Sequence, residues 1–147
     1  MFVKVSTQLN CTESELWEKI IKLDSLQFVA APLLAFKAVD SNSQNSTWEL
    51  GRDYPFKLYL FKYIPLGSHT IQLVKLDKNQ NLILSHESGQ LTPVWNHKIY
   101  FKELQSGVVS YTDEIEIGAG WLTPAIGIFA HLFYRHRQRR WKALLRK

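Results

Sequence analysis

The feature that most constrains this fold is a long stretch with the period of β-strands, which separates two helical segments. From Leu33 to Gly118, short apolar or alternating runs are divided by turn-forming clusters rich in Gly, Pro, Asn, Asp and Ser. We assign strands to residues 33–39, 46–50, 56–64, 68–76, 82–88, 94–104 and 108–117. The connections, which include residues 41–46, are too short for helical crossovers, so the pattern predicts six or seven strands in an antiparallel sheet.

The N-terminal residues add one strand and two short helices to this sheet. Residues 2–9 alternate between polar and apolar side chains, which is typical of a half-buried strand. Thr12 stands three residues before Glu15 in a T-x-x-E capping box, and apolar residues follow at helical spacing, so a helix begins there. A second short helix is predicted from Asp24 to Phe28.

The last segment is predicted to be one long helix from Thr123-Pro124 to Lys147. Thr123 is the predicted N-cap, and Pro124 stands at the first helical position, where no intrahelical hydrogen bond is lost. Helical periodicity places the apolar side chains on one face and Gln138 with most of the cations on the other. Arg137 falls near the centre of the apolar face, where it needs a route to solvent, a carboxylate or a polar cavity.

Composition indicates a folded protein with an ordinary core. The chain has 147 residues, 46% of them apolar and 21% charged, so one domain over residues 1–147 is expected and disorder is excluded. The single cysteine, Cys11, excludes an internal disulfide, and the N-terminus lacks the basic start and apolar run of a signal peptide. We therefore expect a cytoplasmic protein.

Basic charge is concentrated at the C-terminal end of the chain. The net charge is +5, yet residues 118–147 carry seven Lys and Arg and no Asp or Glu. The polar face of the predicted helix presents Arg135, Arg139, Lys142 and Arg146. Contact of these cations with a membrane surface or an acidic partner is one interpretation, and simple solvation is the other. No known nucleic-acid-binding module surrounds them, so no nucleic-acid partner is expected.

Strand parity identifies the side chains that are expected to face the interior. In residues 94–104 and 108–117 the odd-numbered side chains are the more apolar set, so we assign them to the inner face. This assignment brings Asp113 and His97 onto the inner face of two strands that one short turn connects. A buried pair of this kind requires a mutual hydrogen bond, a contact with Arg137 or a wet pocket.

The orientation of the run 82–88 stays open at this point. Both of its parities are apolar, so either His86 or Glu87 can face the interior. Glu87 and His69 are residue types that bind metals, but no ligand spacing such as H-x-x-x-H is present, and we expect no metal. Glycines occur outside any phosphate-binding motif, so no cofactor is expected either.

The order of the elements and three short motifs resemble a known superfamily. LWEKIIKLDSLQ is similar to the first helix of START-like (SRPBCC) proteins, which include polyketide cyclase/dehydrase-like proteins and relatives of the birch-pollen allergen. YTDEIEI, the Gly-rich turn after it and FAHLFYRHRQRRWKALL resemble the last strand and closing helix of that superfamily. The resemblance implies an α+β helix-grip fold, in which a curved antiparallel sheet wraps around the C-terminal helix and leaves a cavity for a hydrophobic ligand.

The residues and the resemblance together favour a binding protein over an enzyme. The hypothesis is that a hydrophobic or amphipathic small molecule, lipid or polyketide-like, binds between the sheet and the C-terminal helix. The candidate ligand-binding residues are His69, Glu87, Trp95, His97, Phe101, Tyr111, Asp113, Phe129, Phe133 and Arg137. The alternative is a cyclase- or dehydratase-like enzyme that uses His97 with Asp113 or Glu87 as an acid–base pair. A polar network that only fastens the last helix to the sheet is the structural alternative for the same side chains.

Overall fold

The computed structural model describes residues 1–39 and 47–146. In chain order the elements are β1 (Phe2–Leu9), α1 (Glu13–Ile20), α2 (Leu23–Ala30), β2 (Leu34–Ala38), β3 (Asp53–Leu60), β4 (Ile64–Asp77), β5 (Leu82–Gly89), β6 (Val94–Gln105), β7 (Val108–Gly118) and α3 (Thr123–Leu144). A short 3₁₀ helix, Gly120–Leu122, connects β7 to α3.

The seven strands of the described residues form one antiparallel sheet in the order β1-β7-β6-β5-β4-β3-β2. Among these seven strands, the pairing of β1 with β7 joins strands that are distant in sequence, and the other pairs are consecutive along the chain. Register shifts between Leu58 and Tyr59, Leu73 and Lys75, and Glu103 and Gln105 interrupt the ladders, and such irregularities bend a sheet. The curved sheet packs with α2 around α3, which confirms the predicted α+β helix-grip fold.

The predicted helices are present, and their ends differ from the prediction. The capping box is confirmed, since Thr12 Oγ1 accepts from Glu15 N–H and Glu15 Oε1 accepts from Thr12 N–H, both at 3.1 Å. The N-cap of α3 is Leu122, because the Thr123 hydroxyl instead bonds the preceding turn through Ala119 N–H and Gly120 O. The helix α3 ends at Leu144, before the predicted end at Lys147. Lys147 itself lies outside the described part of the chain.

Two of the predicted strands are wrong in detail. The run 46–50 is not a strand where it is described: Thr47 makes an isolated bridge to Lys22, and Trp48 packs its ring on another aromatic side chain. The run 56–64 is divided by a turn in which Phe61 and Lys62 have positive φ. Gly and Asn usually occupy such positions, and neither is present at this turn. The predicted turn at residues 41–46 lies outside the described residues.

Burial confirms the predicted parity of β6 and β7. The odd-numbered side chains from Trp95 to Phe101, and those from Val109 to Ile117, are all buried. The helical prediction fails at one position, because Gln138 is 2% exposed although periodicity assigned it to the polar face. The reason is that α3 contacts α2 on one side and β1 with β7 on the other, so more than one stripe of the helix is covered.

Within residues 1–39 and 47–146, the buried apolar side chains form two clusters. The first cluster joins β1, β2 and β3 to the middle of α3 and includes Phe36, Phe56, Trp95, Ile115 and Phe133. The second joins α1 to the middle of the sheet and the end of α3 and includes Leu16, Leu73, Ile99, Phe101 and Trp141.

Across residues 1–39 and 47–146, no helix has both the length and the apolar character that crossing a bilayer requires.

Candidate functional site

A cavity of about 300 Å³ lies between the inner face of the sheet and α3. Most of its wall is apolar and includes Leu34, Phe36, Leu58, Ile71, Phe129 and Phe133. A smaller polar part is formed by His69, Ser85, Glu87, His97, Tyr134 and Arg137. An apolar cavity with a few convergent polar groups is the usual form of a small-molecule site, and its volume is within the range of roughly 300–1,000 Å³ that such sites have.

His97 and Asp113 form a hydrogen-bonded pair behind the polar part of the wall. His97 Nε2 lies 2.7 Å from Asp113 Oδ1, and the two side chains meet diagonally because the register places His97 opposite Ile115. Asp113 also accepts from the Tyr111 hydroxyl at 3.1 Å and from Gln138 Nε2 at 3.0 Å. Since a carboxylate only accepts, His97 donates through Nε2 and leaves Nδ1 on the other side of its ring. Three donors thus satisfy a fully buried carboxylate.

Glu87 is the second carboxylate of the site, and the structure settles its orientation. Its side chain is 9% exposed and lines the cavity, whereas His86 is exposed to solvent. Glu87 Oε1 lies 2.9 Å from His69 Nε2, and Glu87 Oε2 accepts from the Ser85 hydroxyl at 2.8 Å. Burial raises the pKa of Glu87, but the hydrogen bond and charge of His69 and the charge of His97 outweigh it and hold the pKa below its usual value.

The two carboxylates are connected through His97. Its Nδ1 atom lies 3.9 Å from Glu87 Oε2, which is too long for a hydrogen bond but close enough for strong electrostatic coupling in a buried site. His69, Glu87, His97 and Asp113 therefore form one continuous polar chain across β4, β5, β6 and β7. Gln138 Nε2, which also donates to Val5 O at 2.8 Å, attaches this chain to α3 and β1.

Arg137 is buried in α3 opposite this polar chain. The centre of its guanidinium group lies 5.1 Å from the centre of the Tyr134 ring and 5.9 Å from that of Phe133. Its Nε–H has no hydrogen-bond partner within the described part of the chain. Burial lowers the pKa of Arg137, but the surrounding acidic groups, Tyr134 and Asp113 foremost, raise it on balance. Arg137 is therefore a permanent cation on the cavity wall.

Tyr134 is a polar wall residue that the sequence did not single out. Its hydroxyl accepts from Trp95 Nε1 at 3.0 Å, and its ring centre lies 4.9 Å from that of His97. Burial above all, together with the negative charges of Glu87 and Asp113, raises the pKa of Tyr134 far above its usual value. Tyr134 therefore remains a neutral phenol. In the sequence, only its position beside Phe133 on the helix indicated that it could line the cavity.

The candidate residues divide into two groups in the structure. Those that line the cavity are His69, Glu87, Trp95, His97, Phe129, Phe133 and Arg137. Phe101, Tyr111 and Asp113 lie behind the wall, where Phe101 packs on Trp17 with a ring-centre distance of 5.2 Å. A direct ligand contact thus remains a prediction for the first group, while the structure places the second group outside the cavity lining.

The described residues provide no metal centre, since no group of three or more His, Cys, Asp or Glu side chains is arranged to hold an ion.

The four cations of the predicted polar face, Arg135, Arg139, Lys142 and Arg146, are exposed on α3 and just after it. Arg140 behaves differently, because its Nε donates to Phe28 O at 3.1 Å and its guanidinium lies 4.0 Å from the Phe28 ring centre. This residue fastens α3 to α2.

Solved structures of very different sequence share this architecture. Protein CV1439 from Chromobacterium violaceum is similar with a TM-score of 0.78 at 12% identity, over 99% of this chain and 97% of that chain. A START superfamily protein from Mycobacterium smegmatis is similar with a TM-score of 0.67 at 7% identity, over 98% of this chain and 96% of that one. Ara h 8.0201 is similar with a TM-score of 0.69 at 10% identity, over 99% and 97% of the two chains. These similarities confirm the START-like fold.

Sequence comparison identifies the family. No curated protein matches the chain. The family model described as "Domain of unknown function (DUF8410)" matches residues 7–145, which is nearly the whole sequence. The chain therefore belongs to the DUF8410 family, and its fold is that of the START-like superfamily.

Proposed function

We propose that the protein binds a hydrophobic or amphipathic small molecule in the cavity between the sheet and α3. The observation that carries this proposal is the cavity of about 300 Å³ with its mainly apolar wall. Close-packed protein interiors contain few voids larger than a water molecule, so an apolar hollow of this size is not ordinary core packing. The START-like fold supports the proposal, because the resemblance implies hydrophobic ligands for members of that superfamily.

Native mass spectrometry of the gently purified full chain tests this function. We expect the protein to carry a bound apolar compound, which organic extraction releases and identifies. The control is the same protein after extraction and refolding, which should regain the added mass when it is mixed again with the extract. A protein that carries no added mass and regains none would contradict the proposal.

Acid–base catalysis by His97 is a second candidate, which the 2.7 Å contact with Asp113 favours. A carboxylate that holds one ring nitrogen fixes the orientation of a histidine and leaves the other nitrogen for proton transfer. If the protein is a cyclase or a dehydratase, we expect it to convert the extracted compound or its precursor. A dehydratase would release water in this conversion. His97→Gln should then abolish conversion without lowering stability, whereas lost stability with unchanged chemistry identifies a structural pair.

The exposed cations of α3 support a third proposal, peripheral contact with an anionic membrane surface. Arg135, Arg139, Lys142 and Arg146 are exposed, and so are Ile128 and Leu132 on the same helix. Cations beside exposed apolar side chains suit a lipid interface. Co-sedimentation with phosphatidylserine vesicles should occur and should disappear in the Arg139→Glu/Lys142→Glu variant. Binding that persists in this variant, or no binding by the parent, contradicts the proposal.

A further inference from the structure

A band of polar side chains crosses the middle of the cavity. It consists of His69 on β4, Glu87 on β5 and His97 on β6, with Arg137 facing them from α3. The contacts between neighbours, 2.9 Å from His69 to Glu87 and 3.9 Å from Glu87 to His97, make the band continuous across three strands. Any ligand that fills the length of the cavity must therefore pass this band.

Apolar wall lies on both sides of the polar band. On β6, Trp95 and Ile99 stand on either side of His97, about 13 Å apart along a strand. On α3, Phe129 and Trp141 stand on either side of Arg137, about 18 Å apart along the helix axis. Trp95 and Phe129 belong to the first apolar cluster or pack against it, while Ile99 and Trp141 belong to the second. The band thus separates two apolar compartments of a single cavity.

The band contains a hydrogen-bond donor that the protein itself does not satisfy. Arg137 Nε–H has no acceptor among residues 1–39 and 47–146, and its guanidinium makes no ion pair there. The two nearby carboxylates already accept from other groups, Glu87 from His69 and Asp113 from His97. A buried donor without an acceptor is costly, so an oxygen atom supplied by a ligand would stabilise the site.

The charges around the band favour an uncharged oxygen. Glu87 and Asp113 already place two negative charges near the single permanent positive charge of Arg137. A ligand carboxylate would add a further negative charge to a site that is shielded from water. A carbonyl oxygen accepts the same hydrogen bond without this cost.

We infer that the ligand of this cavity has two apolar arms joined by an internal, uncharged carbonyl group, such as an ester or a ketone, whose oxygen accepts from Arg137. This inference rests on the proposed binding function and names the chemical class of the ligand. It differs from a fatty acid or alcohol, in which the polar group is terminal and one apolar compartment has to enclose the whole chain.

Two isomeric esters test the position of the carbonyl group. Pentyl hexanoate carries the ester in the middle of the chain, methyl decanoate carries it at one end, and undecane is the control without oxygen. Each is titrated into the full chain, with tryptophan fluorescence and calorimetry as readouts, since Trp95 and Trp141 line the cavity. We expect one pentyl hexanoate per chain, bound about tenfold more tightly than methyl decanoate.

The variant Arg137→Met tests the donor, and Arg139→Met is the matched control on the exposed face of the same helix. Arg137→Met should remove the preference for pentyl hexanoate and leave the affinity for undecane unchanged, while the control keeps the preference. If Arg137→Met does not fold, the ¹⁵N shift of Arg137 Nε in the parent protein gives the answer: pentyl hexanoate should move it clearly more than undecane, which offers no acceptor, and equal shifts with both would overturn the inference.

The outcomes separate this inference from the function on which it rests. Equal affinity for both esters, tighter binding of methyl decanoate, or two ligands per chain would overturn the inference and leave the binding function in place. Failure of all three compounds to bind a protein that carries co-purified apolar mass would overturn the inference alone, whereas the same failure without any co-purified mass would overturn both.

Discussion

At the scale of single residues, the site depends on buried carboxylates that are held by several hydrogen-bond donors. Asp113 is fully buried, yet His97, Tyr111 and Gln138 all donate to it. Each donor comes from the strand of Asp113, the adjacent strand or α3, so one carboxylate joins three elements. Removing the charge of Asp113 leaves several oriented donors without an adequate acceptor. The resulting loss of stability should be larger than the loss on removal of a surface charge.

Asp113→Asn should therefore destabilise the protein by about 3 kcal/mol. The amide offers one acceptor oxygen where the carboxylate has two, and its NH₂ group opposes the donors. Chemical denaturation measures the effect, and Glu114→Gln, at the half-buried next position of β7, is the control. An unchanged free energy of unfolding would mean that the network is not structural.

The low pKa of Glu87 predicts a pH dependence of stability. Because its pKa is lower in the folded than in the unfolded protein, the unfolded state binds more protons in acid. The contribution of Glu87 is therefore complete above its ordinary pKa of 4.5 and is lost as the pH falls through the lower pKa of the folded protein. The free energy of unfolding should change less between pH 7 and pH 3 for Glu87→Gln than for the parent protein. Exposed Glu18→Gln, as control, should behave like the parent.

At the scale of elements, the decisive feature is that α3 is enclosed by α2, β1 and β7. Arg140 contributes to this enclosure with a hydrogen bond to Phe28 O and a cation–π contact with its ring. His136 Nε2 adds a 2.7 Å bond to Ala31 O at the end of α2. Helical periodicity places Arg140 at the edge of the apolar face, so a polar side chain contributes to the covered side of the helix.

Arg140→Met should destabilise the protein by about 1–2 kcal/mol, because it removes both contacts with Phe28 and keeps most of the apolar stem. Arg139→Met, one residue away and exposed, is the matched control and should change stability little. Thermal unfolding of the two variants provides the comparison. Equal melting temperatures would show that the contact between α2 and α3 does not depend on Arg140.

At the scale of the whole molecule, the fold places a cavity between two apolar clusters and crosses it with a polar band. Leu73 lies on the cavity wall in the second cluster. Leu73→Trp should fill part of the space, so we expect less co-purified ligand with little loss of stability. Leu104→Trp at an exposed position is the control and should retain the ligand. Native mass spectrometry compares them, and equal ligand content in both would contradict a binding role for the cavity.

Much of this architecture is readable from local patterns. Strand parity correctly buries His97 and Asp113, and the T-x-x-E box correctly begins α1 at Thr12. The turn at Phe61 and Lys62 was missed because apolar residues continue on both sides of it. Orientation at Glu87 was left open because both parities of its strand are apolar.

The sequence by itself determined the general order of one strand, two short helices, an antiparallel meander and a long last helix, the inward faces of β6 and β7, and the position of Arg137 on the apolar face of α3. These follow from periodicity and from caps, which act over a few residues. Only the tertiary structure decided that His69 and Glu87 form a pair, that Gln138 is buried, and that Tyr134 lines the cavity. Those outcomes depend on sheet curvature and on which elements enclose α3, and both arise from contacts between residues far apart in the chain.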